Sequence, residues 1–158
     1  MPRSADAQLL ELIGETQGLL ELTELREGLL AALDRVVPSD WVSINEIGGN
    51  PDDVYVVVRP ALPKRIHKTF AKHAHENPLI AHFARTGDTR PYRFSDVVSR
   101  RELHALALYR ECYAEIGLEY QLAFIIKVTE TSHVAIALSR KARNFTNTER
   151  TLLDHARG

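Results

Sequence analysis

Seven histidines and one cysteine, Cys112, are the residues of this chain best suited to chemistry. His67, His75 and His82 recur at spacings that could share one helix face, with His73 elsewhere on it, and a shared face is the first requirement of a helical metal site. Asn77-Pro78 interrupts that helix, and no HExxH, CxxC or paired-carboxylate pattern accompanies the histidines. Solvated or hydrogen-bonded histidines are therefore expected, and no metal. Cys112 would become a nucleophile only if a histidine such as His104 approached it; a lone helical cysteine is otherwise a small buried hydrophobe. Gly48-Gly49-Asn50 is a turn without the strand-to-helix context of a phosphate loop. Lys64, Arg65, Lys68 and Lys72 form a basic stripe along one helix face, read as a solvated face that could also meet an anionic ligand or partner. No catalytic signature emerges, so a metal- or cysteine-dependent enzyme ranks last and no cofactor is expected.

The polar residues that do stand in an informative pattern lie on strands. Asp40 to Ile47 and Val54 to Arg59 flank a Gly-Gly-Asn-Pro-Asp turn, and Glu119 to Val128 is followed by His133 to Leu138, so both pairs read as hairpins. Side chains alternate across a strand. One set of positions is large and apolar: Val42 and Ile44, Leu122, Phe124 and Ile126, and Val134, Ile136 and Leu138. The alternate set is small or polar: Trp41, Ser43 and Asn45, Gln121 and Ala123, Ala135 and Ala137. The large set calls for a helical layer. If the long insert between the hairpins covers the other face, the alanines leave volume and Ser43, Asn45 and Gln121 supply hydrogen-bonding groups, the composition of a small-molecule pocket. The expected ligand-binding residues are Trp41, Ser43, Asn45, Tyr109, Tyr113, Gln121 and Ala123. The sequence equally allows Phe70, Phe83, Tyr92, Tyr109 and Tyr113 to fill that space.

Around these strands the helices are marked by apolar periodicity and caps. Leu9, Leu10, Leu12, Ile13, Leu19 and Leu20 form one run, and Leu25, Leu29, Leu30, Leu33 and Val36 a second that ends before Pro38. Pro63 starts a helix with Ile66, Phe70 and Ala74 on one face, and Leu79 to Arg85 forms a short helix ending at Gly87. Ser99-Arg-Arg-Glu102 is a capping box that predicts a helix from Arg100 to Ile116, closed by Gly117. Thr146-Asn-Thr-Glu149 is a second, opening a helix that carries Leu152 and Leu153. Asn144-Phe145-Thr146 also matches a glycosylation sequon, but it reads better as the entry to that helix.

With 158 residues, 44% of them hydrophobic, the chain suits one globular domain. A net charge of −1 offers no general basic field for nucleic acid, a single cysteine excludes an internal disulfide, and the N-terminus lacks the apolar core of a secretory signal. No apolar run is long enough to span a bilayer, and a cytoplasmic protein without membrane or direct nucleic-acid contact is expected.

Asp40-Trp41-Val42-Ser43, Asn77-Pro78-Leu79, Ala84-Arg85-Thr86-Gly87-Asp88, Ser95-Asp96-Val97, Tyr109-Arg110-Glu111, Gly117-Leu118-Glu119 and Asn144-Phe145-Thr146 with Leu152-Leu153 together resemble the GAF-like N-terminal sensory region of actinobacterial LuxR-type transcriptional regulators. The resemblance covers nearly the whole chain and rests on the order and spacing of short motifs. It implies an α+β, GAF/PAS-like fold, with a six-stranded or similar antiparallel sheet, terminal helices on one face and a crossover with short helices on the other. Residues 1–158 then form one sensory domain: N-terminal helices at 1–37, sheet and crossover at 40–140, and a truncated C-terminal helix at 146–158. The helix-turn-helix DNA-binding domain is absent and the chain reads as a fragment. The implied function is signal or ligand sensing, with a small-molecule effector, acting through the terminal helices on DNA binding. A homodimer is expected from the Leu9, Leu12, Thr16, Leu19 stripe and from Leu152 and Leu153, which have little chain of their own to cover them. The alternative is a structural dimerisation or protein-interaction module without ligand.

Overall fold

The computed structural model describes residues 23–50 and 53–157. The N-terminal leucine run, including Leu9, Leu12, Thr16 and Leu19, lies outside the described residues. Helix α1 (Thr23–Val36) presents Leu29, Leu30 and Leu33 to the interior and stops short of Pro38, which cannot continue it. Strands β1 (Trp41–Gly48) and β2 (Val54–Arg59) form the first antiparallel pair. The crossover follows as helix α2 (Lys64–His73), a 3-10 turn at Ala74–Glu76, helix α3 (Pro78–Thr86), strand β3 (Tyr92–Arg93) and the short helices α4 (Phe94–Val97) and α5 (Arg100–Ala105). A π-helical turn at Tyr109–Tyr113 leads into the single turn α6 (Ala114–Ile116). Strands β4 (Tyr120–Val128) and β5 (Ser132–Arg140) and helix α7 (Asn147–Arg157) complete the chain.

The sheet is antiparallel, in the order β2-β1-β5-β4-β3, and the architecture is α+β and GAF/PAS-like. Register explains its two-faced character. Ile44, Ile136 and Phe124 stand in one row across β1, β5 and β4, while Ser43, Ala137 and Ala123 stand in the adjacent row and point the other way. The large row packs with Leu29, Leu30 and Leu33 of α1 and with Phe145 and Leu153 in one core; the small row belongs to a second core beneath the crossover. Each fully buried leucine or phenylalanine of the first core contributes roughly 1.5–3 kcal/mol. Strand alternation places the two successive isoleucines on opposite layers, Ile125 toward the crossover and Ile126 toward the terminal helices, and the pairing of β4 with β5 then shifts at a bulge between Ile125 and Lys127.

Both capping boxes form. Ser99 Oγ accepts from Glu102 N at 3.1 Å while Glu102 Oε1 accepts from Ser99 N at 3.1 Å; Thr146 and Glu149 repeat the exchange at 3.1 and 2.8 Å. The helix expected over Arg100 to Ile116 is instead broken. Leu106 is extended (φ −73°, ψ 143°), and the carboxylate of Glu76, from the 3-10 turn, accepts from Ala107 N at 3.0 Å and so caps a fresh helical start. Burial drives the break: Leu103 and Leu108 both enter the crossover core, and the interruption turns both inward. Five strands are described rather than six. Leu153 is fully buried in the terminal-helix core and Leu152 packs against it, so this helix covers its own leucines on the sheet.

Candidate functional site

A cavity of about 320 Å³ lies between the small-residue face of the sheet and the crossover. Its floor is Ala123, Ala135 and Ala137; Leu62, Ile66, Leu79, Ile80, Phe83 and Leu118 are among its apolar walls. Of the residues expected from sequence, Trp41, Ser43, Asn45, Tyr113, Gln121 and Ala123 line it together. Tyr109 does not. Its hydroxyl donates to Glu119 at 2.5 Å and its ring stacks on His104 at 4.0 Å, both outside the cavity. The π-helical turn that carries Tyr109 and ends at the buried Cys112 and Tyr113 explains the difference: Tyr113 is on the inner face and Tyr109 toward the rim.

A line of buried polar groups closes one end. Asn77 caps α3, its Oδ1 accepting from Leu79 N at 2.9 Å and Ile80 N at 3.2 Å, with Pro78 at the first helical position. That role fixes the orientation of the amide, so Nδ2 faces inward and donates to Tyr113 OH at 2.8 Å and Gln121 Oε1 at 2.9 Å. Gln121 Nε2 then donates to Ser139 Oγ at 3.1 Å. Further along β1, Asn45 Nδ2 donates to Ser43 Oγ at 2.8 Å. Burial pushes the Tyr113 phenol well above its ordinary value, so it remains a neutral hydroxyl. Asn77 and Ser139 belong to the site beyond the residues expected from sequence. Asn77 had a readable signal as the residue before a helix-starting proline, and Ser139 continues the alternation Ala135, Ala137 by one step.

The histidines disperse. His67 and His75 line the cavity, His82 packs beside Tyr92 at 4.4 Å, His73 hydrogen-bonds the carboxylates of Glu76 and Glu111, and His104 meets Glu119 at 2.8 Å. Among the described residues no group of three His, Cys, Asp or Glu could hold a metal ion. Cys112 lines the cavity wall, but burial pushes its thiol up to about 11, and its sulfur faces the carbonyl of Ile66 at 3.9 Å, with His104 engaged elsewhere. Lys64, Arg65, Lys68 and Lys72 lie on the outer side of the crossover, and Arg65 pairs with Glu115.

No family model matches the chain, and no curated protein matches it. Among solved structures it is similar to the LBD domain of VqsR from Pseudomonas aeruginosa, with a TM-score of 0.69 and 11% identity over 98% of this chain and 95% of that one. It is also similar to CepR2 from Burkholderia cenocepacia, described as an N-acylhomoserine lactone dependent LuxR family transcription factor, with a TM-score of 0.65 and 14% identity over 97% and 92% of the two chains. SdiA from Escherichia coli aligns with a TM-score of 0.58 and 12% identity over 94% of this chain, which spans 64% of that protein's chain. At such identities the likeness is one of fold, and the fold is shared with domains of LuxR-type regulators.

Proposed function

We propose that this chain is the sensory domain of a cytoplasmic transcriptional regulator, in which a small, mostly apolar effector binds between sheet and crossover and the terminal helices carry its effect, within a homodimer, to a DNA-binding domain. The observation that carries this reading is the cavity of about 320 Å³ floored by three alanines, a volume at the lower end of small-molecule sites. The shared fold with regulator domains supports it. No described helix is long and apolar enough to cross a membrane. The dependence of CepR2 on an N-acylhomoserine lactone makes acylated lactones reasonable first candidates here.

The test is Ala123→Phe. Ala123 is 4% exposed and sits in the middle of the floor, so a phenyl ring there occupies the cavity. The variant is expected to lose binding of an apolar fluorescent probe while its denaturation midpoint falls little. In a packed core the same overpacking costs about 1–3 kcal/mol. A loss of that size, with no probe binding by the parent protein, would establish a structural module without ligand.

A further inference from the structure

The two edges of the sheet are finished differently. β3 closes one of them with only Tyr92 and Arg93, and the Arg93 guanidinium is held by Asp96 and by the carbonyl of Phe145. Next to it the loop carbonyl of Thr89 accepts from Ile125 N at 3.1 Å, so this edge is short, charged and partly capped. β2 closes the other edge with six residues, Val54-Tyr-Val-Val-Val-Arg59, about 20 Å of strand. None of the usual guards stands inside it. It holds no lysine, proline or inward-pointing charge, and its register with β1 runs without a bulge from Val42–Arg59 to Ile47–Val54. Among the described residues no backbone group outside β1 pairs with it. Tyr55, on its terminal-helix face, is 54% exposed. Charge appears only at the two ends, Asp53 just before the strand and Arg59 at its last position, both exposed. Asp53 accepts from Asn50 Nδ2 at 3.3 Å, and neither residue forms an ion pair among the described residues.

We propose that β2 is an interface between two copies of this chain, paired antiparallel through their free edges into one continuous sheet. This names a contact for the homodimer of the proposed function and rests on that part of the reading. The register follows from symmetry. A two-fold axis relating two antiparallel edge strands is perpendicular to the sheet, so each residue meets one from the same face and the axis passes through a residue rather than between two. Centred on Val56, the pairing sets Val54 opposite the partner's Val58, Tyr55 opposite the partner's Val57, and Asp53 opposite the partner's Arg59. Tyrosine against valine is a favourable aromatic to β-branched pair, and both ends then join opposite charges. A centre at Tyr55 or Val57 moves Asp53 two positions away from the partner's Arg59 and dissolves both charge pairs. Complementary charges at the two ends of an otherwise uncharged strand are what self-pairing about Val56 requires, and they give no advantage to an unrelated strand.

The experiment is a dilution series followed by sedimentation velocity in low-salt buffer, where exposed charge pairs are least screened. Arg59→Glu sets acid against acid at both ends of the paired strands, and Asp53→Lys sets base against base. Each variant alone is expected to raise the dimer dissociation constant roughly 10-fold. An equimolar mixture of the two restores both attractive pairs and should associate as tightly as the parent. Arg101→Glu, exposed on α5, changes the net charge as Arg59→Glu does and should leave the constant unchanged. All three positions are exposed, so thermal melts should match the parent and separate lost pairing from lost folding. Single variants that associate like the parent, or a mixture no tighter than either variant alone, overturn the edge pairing and leave the homodimer to another surface. A parent that stays monomeric throughout the series overturns the edge pairing and the homodimer together, in favour of an edge covered by another segment of this chain or by a different protein. Neither result touches the cavity, which probe binding tests separately.

Discussion

Replacing Arg140 with methionine should destabilise the domain by about 3 kcal/mol, because this side chain ties three elements together from a buried position. Its Nε donates to the carbonyl of Pro38, after α1, at 2.9 Å; Nη1 donates to Asn144 O at 3.3 Å and Glu149 Oε1 at 3.0 Å; Nη2 donates to Glu149 Oε2 at 2.5 Å. The guanidinium also lies 4.1 Å from the centre of the Phe145 ring. The Arg140 side chain is 4% exposed and that of Glu149 is 17% exposed, so the surface value of about 0–1 kcal/mol for an ion pair does not apply. Removing one partner of a buried pair costs about 3–5 kcal/mol, and the residual exposure of Glu149 places this pair at the lower end. For a domain of this size that is roughly 6–12 °C in Tm. Methionine keeps the aliphatic packing, so the loss reports the charge and its hydrogen bonds. Burial would raise the Glu149 carboxyl, but hydrogen bonds from Arg140 and Thr146 outweigh it and hold the group below its ordinary value of 4.5. A depressed carboxyl contributes stability above its unfolded value and loses it as pH falls through the folded one. Thermal melts of parent and variant at neutral pH, repeated at descending acidic pH below 4.5, check both parts: the gap should be full at neutral pH and narrow in acid. A Tm change under about 2 °C, or a gap independent of pH, would refute the reasoning.

Three further outcomes are expected. Asn77→Ala removes a helix cap and leaves Gln121 Oε1 without its donor, so urea unfolding should show a loss of about 2–4 kcal/mol. The chain should be a homodimer by light scattering coupled to size exclusion, and deletion of residues 1–20 should weaken it; a monomer, or a dimer indifferent to that deletion, argues against an interface through those residues. With a net charge of −1, residues 1–158 alone should show no saturable, sequence-selective duplex binding in anisotropy titrations at physiological salt.

The sheet was legible because its period is two and its faces differ in volume. Ile44, Ile136 and Phe124 against Ser43, Ala137 and Ala123 is a contrast readable without any knowledge of pairing, and the observed register only aligns the rows. The capping boxes at Ser99 and Thr146 were legible because both partners of each lie within four residues. Strand β3 was not, since two residues, Tyr92 and Arg93, carry no period, and their strand conformation comes from pairing with Ala123 and Leu122. The break at Leu106 escaped for the same kind of reason: local propensity favours one long helix, and the group that caps its second half, Glu76, is 31 residues away from Ala107.

The candidate pocket divides along the same line. Residues on strands could be assigned to it by alternation, and Trp41, Ser43, Asn45, Gln121 and Ala123 all face the cavity. Residues on the crossover could not, because helical periodicity gives a face but not its direction once a π-turn changes the rotation per residue. Tyr109 and Tyr113 are four apart and would share a face in an uninterrupted α-helix, yet only Tyr113 reaches Asn77 while Tyr109 turns to Glu119. Asn77 shows what a sequence conceals even when each residue is correctly placed. Its identity is dictated locally by the helix it caps, and the consequence of that cap is felt 44 residues later, where the inward amide nitrogen decides which way Gln121 must point. A residue chosen for one backbone end thereby sets the orientation of the polar groups at this end of the cavity.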